Sequence, residues 1–319
     1  RVVTAVGRVV ERIASAQGRG RETSGRQRAT SLSLRHSYSV TRAGAPEWPY
    51  ELATLASPPK ELHYTGDLSV LGRPCVAIVG SRQPTAYGER IARELSTALA
   101  SAGACVVSGM AFGIDAMAHR AALNAGGVTA AVLGAGIDLV YPRAHASLYD
   151  EIAEHGVVLS EFRSGYATFN GCFPRRNRII AGLCRLTIVV EAGAKSGALI
   201  TAGHAADFGR NVAAIPGPID SPQSEGSNQL LRDGAHVIAS IPDALALANL
   251  APSGKAVVLP PLGADEATVW DAVAQHAAET ADEIITRTGW PASRALAALT
   301  QLEIQGLLEC SAAGLIARR

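Results

Sequence analysis

The segment Phe173-Pro174-Arg175-Arg176-Asn177-Arg178 sets three guanidinium groups, a carboxamide and an aromatic ring within six residues. Arginine and asparagine donate to phosphates and bases, and a ring offers a base a face to stack on. A solvated charged stretch capping a helix would read the same way. Gly80-Ser81-Arg82 lies between an apolar run and a helical pattern. There the glycine lets backbone approach an anion, the helix start offers unpaired N–H groups, and Arg82 adds a bidentate phosphate ligand. Taken alone, that loop reads equally as a turn with a surface arginine. Glu191-Ala192-Gly193-Ala194-Lys195-Ser196-Gly197-Ala198 joins a strand pattern to a helix start. Small residues with Lys195 and Ser196 make an anion cradle there. The GxxxxGK[ST] spacing of a phosphate loop is missing, so ATP hydrolysis is not supported. Asp115 and His119, four apart on a helical pattern, could share a metal. No third ligand is evident nearby, and helix-start capping by Asp115 is the plainer reading.

These segments need elements to hold them, and the flanking pattern supplies a strand–helix alternation. Strands are expected at Cys75–Val79, 104–107, 128–133, 157–159, 186–190, 212–215 and 235–238. Helices are expected at 87–101, 114–124, 144–155 and 199–208, with another starting at Ile179. Continuous apolar strands between helices predict a mostly parallel sheet covered on both faces. Ligands of such sheets sit beyond the carboxyl ends of the strands. Arg82, Arg176, Arg178 and Lys195 are therefore expected to converge on one groove there.

The chain has 319 residues, long enough for a large domain and smaller parts. Its 48% hydrophobic content suits a globular protein, and 32 glycines with 5% aromatics suit an α/β fold with tight loops. A GC-rich genome would favour the same composition. The net charge of +1 gives no overall basic balance, so any polyanion site is a local patch. The five cysteines form no CxxC pair and read as buried reduced thiols, not as a disulfide framework or zinc site. No stretch is apolar and long enough to span a bilayer, and the arginine-rich start lacks the core of a signal peptide. Without an initiator Met, the chain is expected to be trimmed or incomplete at its start.

Residues 1–45 read as a basic arm, with one possible helix at 2–16. Residues 46–250 carry the alternation, and 251–264, rich in Pro and Gly, read as a linker. Residues 265–319 read as three short helices and two strands around Gly314, like a winged helix. The last of those helices carries Arg294 as its one cation, which suits protein contact or packing better than reading a major groove.

At this point the chain closely resembles the DNA-processing protein A (DprA/Smf) family. The matching text is Val79-Gly80-Ser81-Arg82, Ser108-Gly109-Met110-Ala111-Phe112-Gly113-Ile114-Asp115 with Ala118-His119, and Gly134-Ala135-Gly136-Ile137-Asp138 with Tyr141-Pro142. Then come Leu159-Ser160-Glu161, the Phe173–Leu183 segment, Ser196-Gly197-Ala198-Leu199-Ile200-Thr201-Ala202, Pro216-Gly217 and Gly226-Ser227-Asn228. Each motif is weak alone, but their order across 75–240 is highly specific. The resemblance implies an extended Rossmann-like domain that binds single-stranded DNA without catalysis and needs no cofactor. It implies help in loading RecA recombinase on incoming DNA during natural transformation, and a homodimer. The reduced thiols and the lack of a spanning stretch make a cytoplasmic, membrane-free setting the expectation. The expected DNA contacts are Gly80, Ser81, Arg82, Ser108, Gly109, Phe173, Arg175, Arg176, Asn177, Arg178, Lys195, Ser196, Gly197 and Thr201. Two departures stand out: no small helical domain is legible in 1–45, and Ala198 stands where the family often has Ser. The rival reading is a nucleotide phosphoribohydrolase of the related Rossmann group. Those enzymes carry Pro-Gly-Gly-x-Gly-Thr before a catalytic Glu, whereas this chain has Pro216-Gly217-Pro218. Glu191 could serve as an acid, but no partner base is evident. A pure recombinase adaptor is the third reading, and the arginine cluster argues against it.

Overall fold

Side-chain alternation along the buried strands divides the core into two faces. In β3 (Cys75–Val79), Ala77 and Val79 join one apolar cluster while Val76 and Ile78 join another. The computed structural model describes residues 36–169, 171–251, 262–274, 279–305, 307–310 and 315–318. The expected helix at 2–16 and most of the expected linker lie outside those residues. The chain divides into two compact units near residue 254.

The first unit holds a nine-stranded sheet. Its strands are β1 (Ser39–Arg42), β2 (Glu61–Gly66), β3, β4 (Cys105–Ser108), β5 (Val128–Gly136), β6 (Val157–Phe162), β7 (Leu186–Val189), β8 (Asn211–Ala214) and β9 (His236–Val237). Their order is β1-β2-β6-β5-β4-β3-β7-β8-β9. From β6 to β9 every pairing is parallel, while β1–β2 and β2–β6 are antiparallel. The antiparallel edge is not legible in the sequence, and β1 corrects the expected arm at 1–45, whose last residues join the sheet. The helices are α1 (Tyr50–Ala53), α2 (Ala86–Ser101), α3 (Ile114–Asn124), α4 (Ala146–His155), α5 (Cys172–Leu183), α6 (Gly197–Asp207), α7 (Glu225–Arg232) and α8 (Ile241–Leu247). Residues of α5 and α6 bury against one face of the sheet, and residues of α2 and α3 against the other. This is the doubly wound, Rossmann-like arrangement.

Local chemistry explains the helices. In α2, Ala92, Leu95, Ser96, Leu99 and Ala100 are buried at helical spacing, and the Thr85 hydroxyl caps the first turn by accepting from the Gly88 N–H. Each fully buried leucine or isoleucine contributes about 1.5–3 kcal/mol. The helix expected to start at Ile179 begins at Cys172, so the arginine run lies on its first two turns.

β3 feeds α2 and β4 on one side, while β7, its other neighbour, feeds α6 and β8 away from it. The sheet therefore reverses its winding between β3 and β7, the place where open α/β sheets form their ligand crevice.

The second unit packs α9 (Ala264–Ala274), α10 (Ala281–Thr288) and α11 (Ala292–Ile304) with strands β10 (Glu279–Thr280), β11 (Leu308–Cys310) and β12 (Leu315–Arg318) in the order β10-β12-β11. Trp270, Ile284, Leu299, Leu302 and Ile316 lie in its core. Thr280 and Glu283 form a capping box at the start of α10, and Gly289, with φ of +65°, ends it. Two strands after three helices give the winged-helix pattern, and the turn expected at Gly314 lies outside the described residues.

Candidate nucleic-acid interface

The carboxyl ends of β3, β4 and β5 form a solvent-open recess, lined among others by Arg82, Phe112, Gly134, Tyr141, Phe173 and Arg176. Its centre is a ring and a cation. The Arg82 guanidinium carbon lies 5.3 Å from the Phe173 centroid, within cation–π range. Phe173 stands in the first turn of α5, and its ring lies on the β5 backbone: a Cβ on Gly134 would sit 2.9 Å from its Cδ1. Tyr141 closes one side, 5.8 Å from Phe173. Phe112 stands edge-on to His145 at 4.9 Å and is half exposed. Arg82 is exposed and has no acidic partner among the described residues. It is a cation beside a ring, open to water, which suits a nucleotide's phosphate and base together.

Arg176 departs from the expected free cation. Three residues after Phe173 on α5, it lines the recess but is only 5% exposed. Its Nη1 donates to the carbonyls of Gly109 at 2.6 Å and Val132 at 2.5 Å, and its Nε donates to Asn177 Oδ1. Burial lowers its pKa to about 10, Asp115 opposes that shift, and Arg82 adds to it. Arg176 ties α5 to the end of β4 and the middle of β5. Asn177 is likewise buried, and its amide reaches the Gly197 carbonyl at 3.3 Å.

Arg175 and Arg178 point elsewhere. Both are held by one carboxylate, Glu161 at the end of β6, with Arg175 Nε 2.8 Å from Oε2 and Arg178 Nη2 on Oε1. Arg178 also reaches the Ser57 carbonyl. Neither Arg178 nor Lys195 lines the recess. The four expected cations therefore do not form one set: Arg82 faces the recess freely, Arg176 braces its floor, and Arg178 is paired. Lys195 is exposed in the loop before α6, without an acidic partner among the described residues.

The other expected contacts divide similarly. Ser108 is buried and donates to the Ile78 carbonyl at 2.6 Å, and Thr201 is buried in α6. Gly109 donates its N–H to Asp115 Oδ2 at 3.2 Å. Ser196 caps α6, accepting from the Ala198 N–H, with Gly197 exposed beside it. Gly80 leaves no room for a side chain, since a Cβ there would sit 2.7 Å from Ile114. Ser81 accepts from the Gln83 N–H through its hydroxyl. Phe112 and Tyr141 were within the quoted motifs, but nothing in their spacing marked them as recess walls.

The winding-reversal crevice between β3 and β7 is filled. Glu191 follows β7 and is only 2% exposed. Its carboxylate accepts from the Thr85 N–H at 3.0 Å and the Thr85 hydroxyl at 2.5 Å, at the start of α2. Gly88 leaves it room, since a Cβ there would sit 2.7 Å from Glu191 Oε2. A carboxylate of the chain thus occupies the helix start where a Rossmann nucleotide would set its phosphate.

Asp115 and His119 are not joined. Asp115 accepts from the N–H groups of Gly109 and Ala111, which sets the loop where Met110 adopts φ of 57°. Burial raises its pKa, and Arg176 counters that rise. His119 instead bonds Thr129 Oγ1 through Nδ1 at 2.6 Å, and the Thr129 hydroxyl donates to the Val106 carbonyl. Nδ1 must therefore carry the proton, and burial lowers the His119 pKa to about 3.

In the second unit, Arg294 on α11 pairs with Asp265 through two contacts of 2.9 and 2.6 Å and stacks 4.2 Å from the Trp290 centroid. That cation is already engaged.

The family profile of DNA recombination-mediator protein A matches residues 39–249, and that of the DprA winged helix domain matches residues 253–314. A DNA processing protein DprA of Mycobacterium tuberculosis is 42% identical over 241 residues, covering 73% of this chain and 62% of that protein. The chain thus matches less than two thirds of that relative's length. The protein Smf of Escherichia coli is 38% identical over 273 residues, covering 77% of this chain and 73% of that one. The X-ray structure of DprA from Streptococcus pneumoniae matches with a TM-score of 0.63 and 42% identity over 66% of this chain and 74% of that one. The Helicobacter pylori DNA processing protein A, solved for its single-stranded DNA binding mode, gives 0.61 and 32% over 66% of this chain and 95% of that one. The chain belongs to the DNA recombination-mediator protein A family.

Proposed function

We propose that the first unit binds single-stranded DNA at the Arg82–Phe173 recess and works by binding, without chemistry. The observation that carries the reading is the exposed Arg82 guanidinium over the Phe173 ring at the strand ends. Such a pair grips a phosphate and stacks a base, which favours bases already free of a partner strand. The Helicobacter relative's single-stranded DNA binding supports it. Against the phosphoribohydrolase alternative, Glu191 is occupied at the helix start of the crevice where such an enzyme would hold its nucleotide.

The wider role follows the family: protecting incoming DNA in the cytoplasm and loading RecA recombinase during natural transformation, as a homodimer formed through residues 46–250. The DNA-reading share falls to that segment, while 251–264 links it to the winged-helix unit at 265–319. The engaged Arg294 supports a protein-contact role for the latter. Among the described residues no helix is long and apolar enough to cross a membrane. A competition mobility shift with single-stranded and blunt duplex oligonucleotides tests the binding reading: single strands should win, and equal or tighter duplex binding overturns it. Light scattering on a chain cut to 36–250, which keeps β1 paired to β2, tests the dimer, and a monomer mass refutes it.

A further inference from the structure

An aromatic ladder outside the recess has no role in the reading above. Phe162, buried at the end of β6, stacks on Tyr166 at 4.8 Å and 17°. Tyr166 meets Phe169 at 6.4 Å, and Phe169 is 57% exposed. The Arg175 guanidinium lies 5.1 Å from the Phe162 centroid. The ladder thus runs from an ion-paired, buried end to an open ring.

The loop that carries it is fastened at several points. Asp138, just after β5, accepts from Ser164 Oγ at 2.8 Å and from the Gly165 N–H at 2.7 Å. The Gly136 N–H donates to the Tyr166 carbonyl at 2.9 Å. The Cys172 N–H donates to the Phe169 carbonyl at 2.9 Å, and Gly171 makes room for the ring, since a Cβ there would sit 2.7 Å from it. An exposed ring held this way loses little freedom when a planar partner stacks on it.

We propose that Phe169, backed by Tyr166, is a second stacking step for the same single strand that enters the Arg82–Phe173 recess. The inference rests on the single-strand reading of that recess. Phe169 lies three residues before α5 and Phe173 in its first turn, so four residues along the chain separate the two rings. Arg163, exposed and without an acidic partner among the described residues, puts positive charge on the same loop. Arg175 and Arg178 are withheld by Glu161, so this step works by stacking more than by phosphate pairing. Tyr166 and Phe169 appear in no motif of the sequence reading. Asp138 does, and its bonds to Ser164 and Gly165 make it the positioning residue of the step.

The test compares the full-length chain with Phe169→Ala, Phe169→Trp and Phe173→Ala on two thymidylate probes: a trinucleotide and an oligomer of about 12 nucleotides, within the usual site size. Phe169→Ala should weaken the longer probe roughly 5- to 100-fold and leave the trinucleotide unchanged. Phe169→Trp should bind the longer probe at least as well as the parent, and Phe173→Ala should weaken both. Unchanged binding of both probes to Phe169→Ala, equal loss on both, or loss of the dimer in that variant overturns the proposal. A parent chain that binds neither probe refutes the single-strand reading itself, a result distinct from the others.

Discussion

The guanidinium of Arg176 fills the space where a side chain on Gly109 would stand: an added Cβ would lie 2.5 Å from its central carbon. The glycine after β4 and the arginine on α5 are thus one fitting. Arg176→Ala removes the donor to the Gly109 and Val132 carbonyls and leaves Asp115 without its nearby cation, at a cost of about 3 kcal/mol or more. Gly109→Ala should destabilise the parent by pushing the guanidinium aside, and should cost much less once Arg176 is alanine. Urea unfolding of the two single variants and the double variant measures this coupling. Additive losses would show that the two residues do not share the space.

His119 should set an acid limb of stability. Its folded pKa of about 3 lies below the ordinary 6.5, because burial disfavours the charged ring. Between those values the unfolded chain binds a proton that the folded chain refuses. Stability therefore falls as pH drops below about 6.5, by up to ~1.4 kcal/mol per pH unit. Asp115, with its raised pKa, pulls the other way, so the comparison must isolate the histidine. His119→Asn keeps a donor toward Thr129 and removes the titration. Its stability profile should be flatter than the parent's between pH 6.5 and 4, and parallel profiles would contradict the assignment.

Glu191 should keep nucleotides out. Removing its carboxylate in Glu191→Ala leaves the Thr85 donors unmet and should cost about 1–3 kcal/mol. A nucleoside monophosphate should leave the parent's Tm unchanged. A rise of several degrees in Tm on adding it would reopen the enzyme reading.

The sheet from β3 to β8 was legible because strands covered on both faces are continuous apolar runs. β1 and β2 were not, since Glu61, His63 and Thr65 break any such run and the strands pair antiparallel at the edge. The start of α5 was missed because three arginines mask its helical spacing, and one of them, Arg176, faces inward. A guanidinium this buried is rare, and only its carbonyl partners reveal it. Arg82 and Phe173 were legible as chemistry, though not as neighbours. Phe112, Tyr141 and Phe169 are single rings in loops, and no periodicity marks them. Glu161 looked like motif text, and its grip on Arg175 and Arg178 appears only when β6 meets α5.

By the proposed reading, Arg82 supplies charge and Phe173 supplies stacking at one single-strand site. The measurement is affinity for an oligothymidylate across a series of salt concentrations. Removing a phosphate-paired cation should lower the log–log salt slope by about 0.7, the single-strand value. Arg82→Ala should show that drop. Arg178→Ala, whose guanidinium is already paired, should nearly keep the parent's slope. Phe173→Ala should lose roughly 1–3 kcal/mol of affinity with its slope unchanged. If Arg82→Ala retains the parent's slope and affinity, the strand binds elsewhere and the account is contradicted.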